Sequence, residues 1–430
     1  MRVCVFGAGY IGLVTAACFA DLGHTVAVRD INPGTVAALR AGRTPLYEPG
    51  LAELLAGNTE RLSFTLDAGE ALRHADVAYV CVDTPPTAAG DADLSRVFAV
   101  VDSLRGASHL KAVVVKSTVP VGTGAQVRAA LDAAGLRHVA YAANPEFTAE
   151  GSAVANFLHP DRVVVGTGDK VAATCVSELH KGVDAPVVVM DVASAEMVKL
   201  TANALLATKI SFVNEIANVC GLVGADVVEV ARAVGMDHRL GPHFLEAGIG
   251  WGGSCFPKDS LALKQMAGNS GYTPQLLSAV IEVNDLQRRR AVQRLKTALG
   301  GLAGARVAVL GVTFKPGTDD MREAPSTVVA ARLLAEGAEV RYWDPVAVPA
   351  DAHPWSSCSR MPTPAAAADG ADAAIVVTQW PQLLDVDWAA VRPAMRRPVL
   401  LDGRNLLDPG TMVRLGFSYM AVGRAAYEQL

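Results

Sequence analysis

The strongest constraint on this chain lies in its first thirty residues. The β-branched run Val3–Phe6 opens into Gly7-Ala8-Gly9-Tyr10-Ile11-Gly12, a helical stretch follows, and Asp30 ends the next strand candidate. Glycines at this spacing allow a tight turn and close backbone approach, so that a pyrophosphate can rest on the unpaired amides at the start of the helix. Asp30 is placed to accept from the ribose hydroxyls. Its charge repels a ribose 2'-phosphate, which predicts NAD rather than NADP. Strand alternation turns the neighbouring Arg29 to the other face. The uncharged run Val3–Ala20 has the composition of a leader peptide, but the glycine spacing and the single basic flank at Arg2 argue against export.

Among 430 residues, 38 Lys+Arg against 43 Asp+Glu give a net charge of -5 with no basic cluster, which argues against a nucleic-acid partner. The length predicts two or three domains. Seven cysteines, an odd number without a CxxC pair, fit neither a disulfide framework nor a zinc site. No metal is therefore expected, and the thiols are read as reduced in a cytoplasm. Beyond the N-terminal run no segment reads as long and apolar enough to span a bilayer, so no membrane association is expected.

Through the first 190 residues, short β-branched runs alternate with Ala/Leu-rich stretches, at Val3–Phe6, Thr25–Val28, Val77–Val82, Ala112–Lys116 and Val163–Val165. This alternation predicts parallel βαβ units. Ser194–Val234 reads as nearly continuous helix, Gly235–Pro257 as a loop long enough to carry function, and Pro257–Leu299 as a second helical stretch. At Arg306 a strand restarts as RVAVLG, echoing RVCVFG at Arg2–Gly7, with further strands expected at Glu339–Trp343, Ala374–Thr378 and Val399–Asp402. Val346–Pro364 reads as a surface connection. The expected fold class is α/β: two Rossmann-like doubly wound domains joined by a central helical region.

Gly250–Asp259, GWGGSCFPKD, carries the sharpest local chemistry. Pro257 is suited to the first position of a helix, which sets Cys255 just before the helix N-terminus, where unpaired amides and the dipole favour a thiolate. Lys258 adds positive charge, and Asp259, four residues after the cysteine, is within reach as a base. Cys4, Cys18, Cys81, Cys175, Cys220 and Cys358 read as inert thiols. On the expected central helix, Lys199 and Asn203 are four apart and share a face, where they could donate to an oxygen that becomes negative during reaction. From spacing alone, two solvated helix residues are an equal reading.

Taken together, these residues resemble the UDP-glucose/GDP-mannose dehydrogenase family over essentially the whole chain. The resemblance rests on GAGYIG, DTPP at Asp83–Pro86, KSTVPVGT at Lys116–Thr123, NPEF with Glu150 four residues after Glu146, and PDRVVVG at Pro160–Gly166. It continues through EMVKLTANA, FLEAGIGWGGSCFPKD and FKPGTDDMREAPS. It implies an NAD-binding domain over residues 1–193, a central helical region over 194–300 that mediates dimer formation and carries the cysteine loop, and a nucleotide-sugar domain over 301–430. It also implies two successive oxidations at C6 of a nucleotide sugar, with two NAD consumed. Cys255 would be the nucleophile, Lys199 and Asn203 would stabilise the C6 oxygen, Asp259 would move a proton, and Glu150 and Thr118 would handle the hydrolytic water.

By the same resemblance, NAD contacts are expected from Gly7, Gly9, Ile11, Gly12, Asp30, Thr84, Thr118, Glu150, Lys258 and Arg322. Sugar-nucleotide contacts are expected from Glu146, Phe147, Glu150, Lys199, Asn203, Phe244, Leu245, Gly248, Gly252 and Lys315, with Arg404 a weaker candidate. Arg239 resembles an arginine that reaches the substrate of a neighbouring subunit. The expected substrate is UDP-glucose, with a UDP-N-acetylhexosamine, GDP-mannose or a TDP-sugar as the alternative. A single-step 3-hydroxyacid dehydrogenase would also use the glycines and a Lys/Asn pair but leaves Cys255 without work; a non-catalytic NAD-binding redox sensor would keep both. Four departures from the family pattern stand out. Thr148-Ala149 replaces Leu-Arg after NPEF, Trp251 replaces Tyr or Phe, Glu246-Ala247 lacks a frequent proline, and Thr35 stands where a lysine is common.

Overall fold

The computed structural model describes residues 1–87 and 90–424. The chain forms two compact units, one of Met1–Ala202 with Leu261–Ser270, the other of residues 203–260 and 271 onward.

The first unit is built on β1 (Arg2–Phe6), β2 (Thr25–Arg29), β3 (Leu62–Thr65), β4 (Val77–Val80), β5 (Ala112–Val115), β6 (Ala140–Ala143), β7 (Val163–Gly166) and β8 (Val187–Met190). They lie in the order β3-β2-β1-β4-β5-β6-β7-β8. Every residue of β4 to β7 is buried, as expected of short apolar strands covered on both faces by crossover helices. The sheet is parallel except between β6 and β7, which meet antiparallel at Ala143 and Gly166. This departs from the uniformly parallel units read from the sequence. The link between β6 and β7 holds only the short helix Ala153–Leu158, which packs on the Tyr10–Asp21 helix. At the far edge, Val187, Val188 and Val189 of β8 are exposed.

The second unit carries β9 (Arg306–Leu310), β10 (Glu339–Trp343), β11 (Ser359–Arg360), β12 (Ala373–Val376), β13 (Val399–Asp402) and β14 (Ser418–Ala421). These run parallel in the order β11-β10-β9-β12-β13-β14, the doubly wound order with β9 in the place of β1. The echo seen in the sequence is structural. Gly7 and Gly311 both follow the first strand of their sheet with positive φ, and a β-carbon on either would collide with the neighbouring crossover chain, at Cys81 or Thr378. Residues 346–364 are more than a connection, since they include β11 and the buried ring of Trp355.

The helical middle is interrupted twice where the sequence suggested continuity. The long helix ends at Val223; Gly224 takes a left-handed conformation and Asp226 caps a new helix, Val227–Gly235, by accepting from the Val228 amide. The second stretch divides into Phe256–Asn269 and Gln275–Leu299 around Gly271, which is also left-handed, and Pro274. One expectation about membranes is corrected. The Val192–Val223 helix, at 32 residues with a window of mean hydropathy 1.2, is by length and composition alone able to cross a bilayer. A third of that window is buried inside the protein, and Glu196, Lys199, Asn203 and Asn214 hydrogen-bond into folded structure.

Candidate active site

In the first unit, the glycine-rich turn has the form a dinucleotide requires. Gly7 has φ of 101°. A β-carbon at Gly12 would lie 1.9 Å from the Gly7 carbonyl oxygen, so both positions are glycine for reasons of backbone packing. Gly9 is different: a β-carbon there would meet only the Asp83 carboxylate, at 3.9 Å, which leaves the backbone open to a ligand at the start of the Tyr10–Asp21 helix, on whose first turn Ile11 lies. Asp30 shapes the same cradle, accepting from the Ala8 amide at 2.6 Å and the Asn32 amide at 2.8 Å. A carboxylate offers about four lone-pair sites, so acceptor capacity for ribose hydroxyls is left. These residues fit NAD. Thr35 sits in the first turn of the Pro33–Arg40 helix, its amide held by the Asn32 side chain.

Thr84 is buried and donates from its hydroxyl to the Thr118 carbonyl at 2.7 Å, so the two cofactor candidates are tied together. The segment that follows Thr118 is fixed further by Glu196, whose carboxylate accepts from the Gly122 and Gly124 amides at 2.7 Å each. Glu196 precedes Lys199 by one helical turn, and its role was not read from the sequence. Deep in this unit lies the ion pair of Glu146 and Lys199, 2.6 Å apart with each side chain 4% exposed. Burial pushes the Glu146 carboxyl up, but the Lys199 charge and hydrogen bond, with donors from Thr148, bring it net below its ordinary value. Phe147 lies beside this pair with the Arg162 guanidinium 3.8 Å above its ring. A cavity of about 160 Å³ lined by Lys116, Asn144, Glu146, Phe147, Thr148 and Arg162 adjoins them.

Glu150 lies in the turn that leads to the Ala153–Leu158 helix. The Gly151 amide donates to the Tyr10 hydroxyl at 2.8 Å and to Glu48 at 2.6 Å, and Glu48 also accepts from the Ala153 amide at 2.6 Å. Glu48 is a buried acid 102 positions before Glu150, and no local pattern marks it.

In the second unit, Cys255 directly precedes a helix, which begins at Phe256, one residue before the expected Pro257. The Asp259 amide donates to the Cys255 carbonyl at 2.8 Å, which puts Cys255 at the cap of the Phe256–Asn269 helix. Asp259 is 1% exposed. Its two oxygens accept from the Asn203 side-chain amide and the Lys258 ammonium, both at 2.6 Å. Lys258 is thus anchored on Asp259. The glycines before the cysteine are forced by crowding: a β-carbon on Gly252 would lie 2.2 Å from the Glu323 carbonyl oxygen and one on Gly253 2.8 Å from the Phe314 ring. Trp251 turns inward. Its indole donates to Ser211 at 3.0 Å, and its backbone is held by Asn284 on both N–H and C=O and by the Arg288 guanidinium. Asn284, Gln287 and Arg288 form a buried polar stripe on the Gln275–Leu299 helix; their three-and-four spacing was a sequence signal that went unused.

Of the remaining candidates, Gly248 is buried with its amide on Asn214 and its flank against Arg404, whose guanidinium also donates to the Val377 carbonyl at 2.7 Å. Burial and the nearby Arg288 charge bring the Arg404 guanidinium down to about 10. Phe244 has a positive φ of 63°, unusual for a bulky residue. Leu245 is half-buried next to it, and Lys315 is half-buried beside Phe314. Arg239 and Arg322 are exposed and paired to Asp237 and Asp320 respectively. All seven cysteines are thiols, and burial raises Cys18 and Cys81 to about 12 and Cys358 to about 11, which keeps them protonated near neutral pH.

Comparison with known proteins agrees over the length of the chain. Residues 1–184 match the NAD binding domain of the UDP-glucose/GDP-mannose dehydrogenase family, 193–286 its central domain and 308–409 its UDP binding domain. The chain is 45% identical to a UDP-glucose 6-dehydrogenase of Pseudomonas aeruginosa over 99% of its own length and 98% of that protein. It is 42% identical to UDP-glucose 6-dehydrogenase TuaD of Bacillus subtilis, over 99% and 94%. Among solved structures, a UDP-glucose dehydrogenase from Pyrobaculum islandicum superposes with a TM-score of 0.91 at 42% identity, covering 98% of this chain and 97% of that one.

Proposed function

Because the chain belongs to the UDP-glucose/GDP-mannose dehydrogenase family, as an NAD-dependent oxidoreductase of nucleotide sugars, we propose that it oxidises UDP-glucose twice at C6 to UDP-glucuronate through a covalent intermediate on Cys255. The observation that carries this reading is the pairing of a dinucleotide cradle with a cysteine capping a helix in a glycine-crowded loop. A single oxidation has no use for such a thiol.

NAD, when bound, supplies the hydride acceptor, and two molecules are consumed per sugar. In the first oxidation, the C6 alcohol loses a hydride and a proton to become an aldehyde. Lys199 and Asn203 donate to the C6 oxygen as its charge changes. The Cys255 sulfur then bonds to C6 as the C=O π bond opens, and the thiol proton passes to the former aldehyde oxygen, giving a thiohemiacetal. Loss of a second hydride and of the hydroxyl proton leaves a thioester. Water adds to the thioester carbon, the C–S bond breaks, and the thiol and the sugar carboxylate are released. Asp259, held by Asn203 and Lys258, is the proton carrier, and Glu150 and Thr118 orient the hydrolytic water.

Gly7, Gly9, Ile11, Gly12, Asp30, Thr84, Lys258 and Arg322 are assigned to the cofactor. Glu146, Phe147, Phe244, Leu245, Gly248, Gly252, Lys315 and Arg404 are assigned to the sugar nucleotide. A division at residues 193 and 300 into cofactor, central and sugar-nucleotide parts is consistent with the three family matches. We read the protein as a cytoplasmic homodimer joined through the long helix, whose Leu205, Phe212 and Val219 form an exposed apolar stripe. Arg239 would then serve the partner's substrate.

The purified protein incubated with NAD and a panel of nucleotide sugars is expected to form two NADH per UDP-glucose. NADH from another sugar alone would refute the substrate, and one NADH per substrate would refute the double oxidation. Cys255→Ser is expected to abolish acid formation while NAD binding persists; undiminished acid formation would overturn the covalent mechanism.

A further inference from the structure

We propose that Thr148 is a positioning residue for this reaction, holding the Glu146 carboxylate in the geometry and charge state on which Lys199 depends. The inference rests on the role given above to Lys199. It starts from the division of labour on the carboxylate. Glu146 Oε1 accepts from the Lys199 ammonium at 2.6 Å, whereas Oε2 accepts from Thr148 twice, from its amide and from its hydroxyl, each at 2.6 Å. A buried carboxylate is costly unless both oxygens are satisfied, and hydrogen bonds to a charged acceptor are the strong ones. Of the three donors on this carboxylate, the Thr148 hydroxyl is the one that a side-chain change at residue 148 removes.

Other groups facing Glu146 do not substitute for that hydroxyl. The Lys116 ammonium, at the end of β5, donates to the Asn144 side chain at 3.3 Å. Cys81 follows β4, and burial keeps it a neutral thiol. Across the adjoining cavity stand His159, Asp161, Arg162 and His180. Arg162 is stacked on Phe147, and burial keeps His180 neutral at pH 7. Asp161 is exposed. Were Glu146 to take up a proton, the ion pair that holds the Lys199 ammonium at 2.6 Å would be lost. Removing the hydroxyl favours that proton, because it bonds the ionised form.

The test is the pH dependence of kcat for NADH formation from UDP-glucose, at saturating NAD, in the wild type, Thr148→Val and Thr148→Ser. Thr148→Val is expected to move the acid limb upward by about one pH unit, the scale of one hydrogen bond to a charged group. The alkaline plateau should stay within about twofold, since one neutral donor is lost while the ion pair stays. Thr148→Ser, which restores the hydroxyl, should return the limb to its wild-type position. An unmoved limb in Thr148→Val, or a serine variant that behaves like valine, overturns the proposal. Thr148→Ala carries the same comparison if valine packs poorly. Urea unfolding separates this failure from failure of the assigned reaction. The stability deficit of Thr148→Val should shrink as pH falls through the carboxylate range, and a deficit constant with pH refutes the proposal whether or not sugar is turned over. A wild type inert toward every nucleotide sugar, with the pH-dependent deficit intact, refutes only the reaction.

Discussion

His180 is buried with its ring 5.5 Å from that of Phe157 and nearly parallel to it, and its Nδ1 lies 2.8 Å from the Val176 carbonyl. Burial, helped by the Lys116 charge, brings its imidazole down from 6.5 to about 4. The sign follows directly. The unfolded chain binds the proton first as pH falls, so the folded state loses stability from about 6.5 down to about 4 and no further. A shift of this size corresponds to a loss on the order of 3 kcal/mol across that window. His180→Phe keeps the stacked ring and removes the titration. Urea unfolding of this variant at pH 7 and pH 4.5 should show a markedly smaller difference than the wild type; an equal difference would place the acid sensitivity elsewhere. Glu146 works in a lower window. Its depressed carboxyl contributes stability above its ordinary 4.5, and that contribution is lost as pH falls through the folded value below it.

The loop bearing Cys255 shows how one element fixes another. Asn284 is 1% exposed and holds the Trp251 amide at 2.8 Å and carbonyl at 3.1 Å, and a β-carbon on Gly250 would lie 2.8 Å from its side-chain oxygen. Asn284→Ala strands the buried Trp251 amide, at a cost of about 1 to 3 kcal/mol. The expected result is that loss in urea unfolding together with reduced turnover, while NAD affinity measured by fluorescence titration is retained, because Asn284 bonds to Trp251, which is not assigned to the cofactor. Unchanged turnover would mean that Asn284 supports the fold and not the loop's catalytic pose. Asn284 also marks where sequence reading stopped. Gly7-x-Gly9-x-x-Gly12 with Asp30, and the position of Cys255 at a helix start, were legible because the constraint is local: a turn, a cap, a strand end. β3, β6 and β14 were missed because LSFT, AYAA and SYMA hold no β-branched run of the kind that marks the other strands, and the exposed VVVM of β8 went unread. The break at Gly224 was missed because the apolar spacing runs on past it. What Glu48, Glu196 and Asn284 hold was illegible for a different reason. Their partners lie 103, 74 and 33 positions away, and only the folded chain brings them together.

At the scale of the whole molecule, β1 to β6 of the first sheet and the six strands of the second share one order but have diverged in use. In the first, Asp30 at the end of the second strand accepts from two backbone amides and keeps lone pairs for a ligand. In the second, Asp344 at the matching place accepts from the Val312, Val346 and Ala347 amides and the Trp380 indole. An acid so fully engaged braces its own unit. What remains uncovered is the long helix. Leu205, Phe212 and Val219 recur every seven residues and are 60%, 59% and 49% exposed. Residues seven apart share a helical face, and an apolar stripe of this kind is the signature of a helix that packs against another. In the proposed dimer that partner is the same helix of a second copy. Replacing Phe212 and Val219 together by Glu places two charges on the seam and is expected to give monomers in sedimentation at micromolar concentration. If Arg239 serves the partner's substrate, the monomer should show a raised KM for UDP-glucose with NAD affinity retained, and Arg239→Ala should raise the same KM in a protein that stays dimeric. A variant that sediments as a dimer rules out this helix face as the interface; a monomer with wild-type KM keeps the interface and removes Arg239 from the neighbouring site.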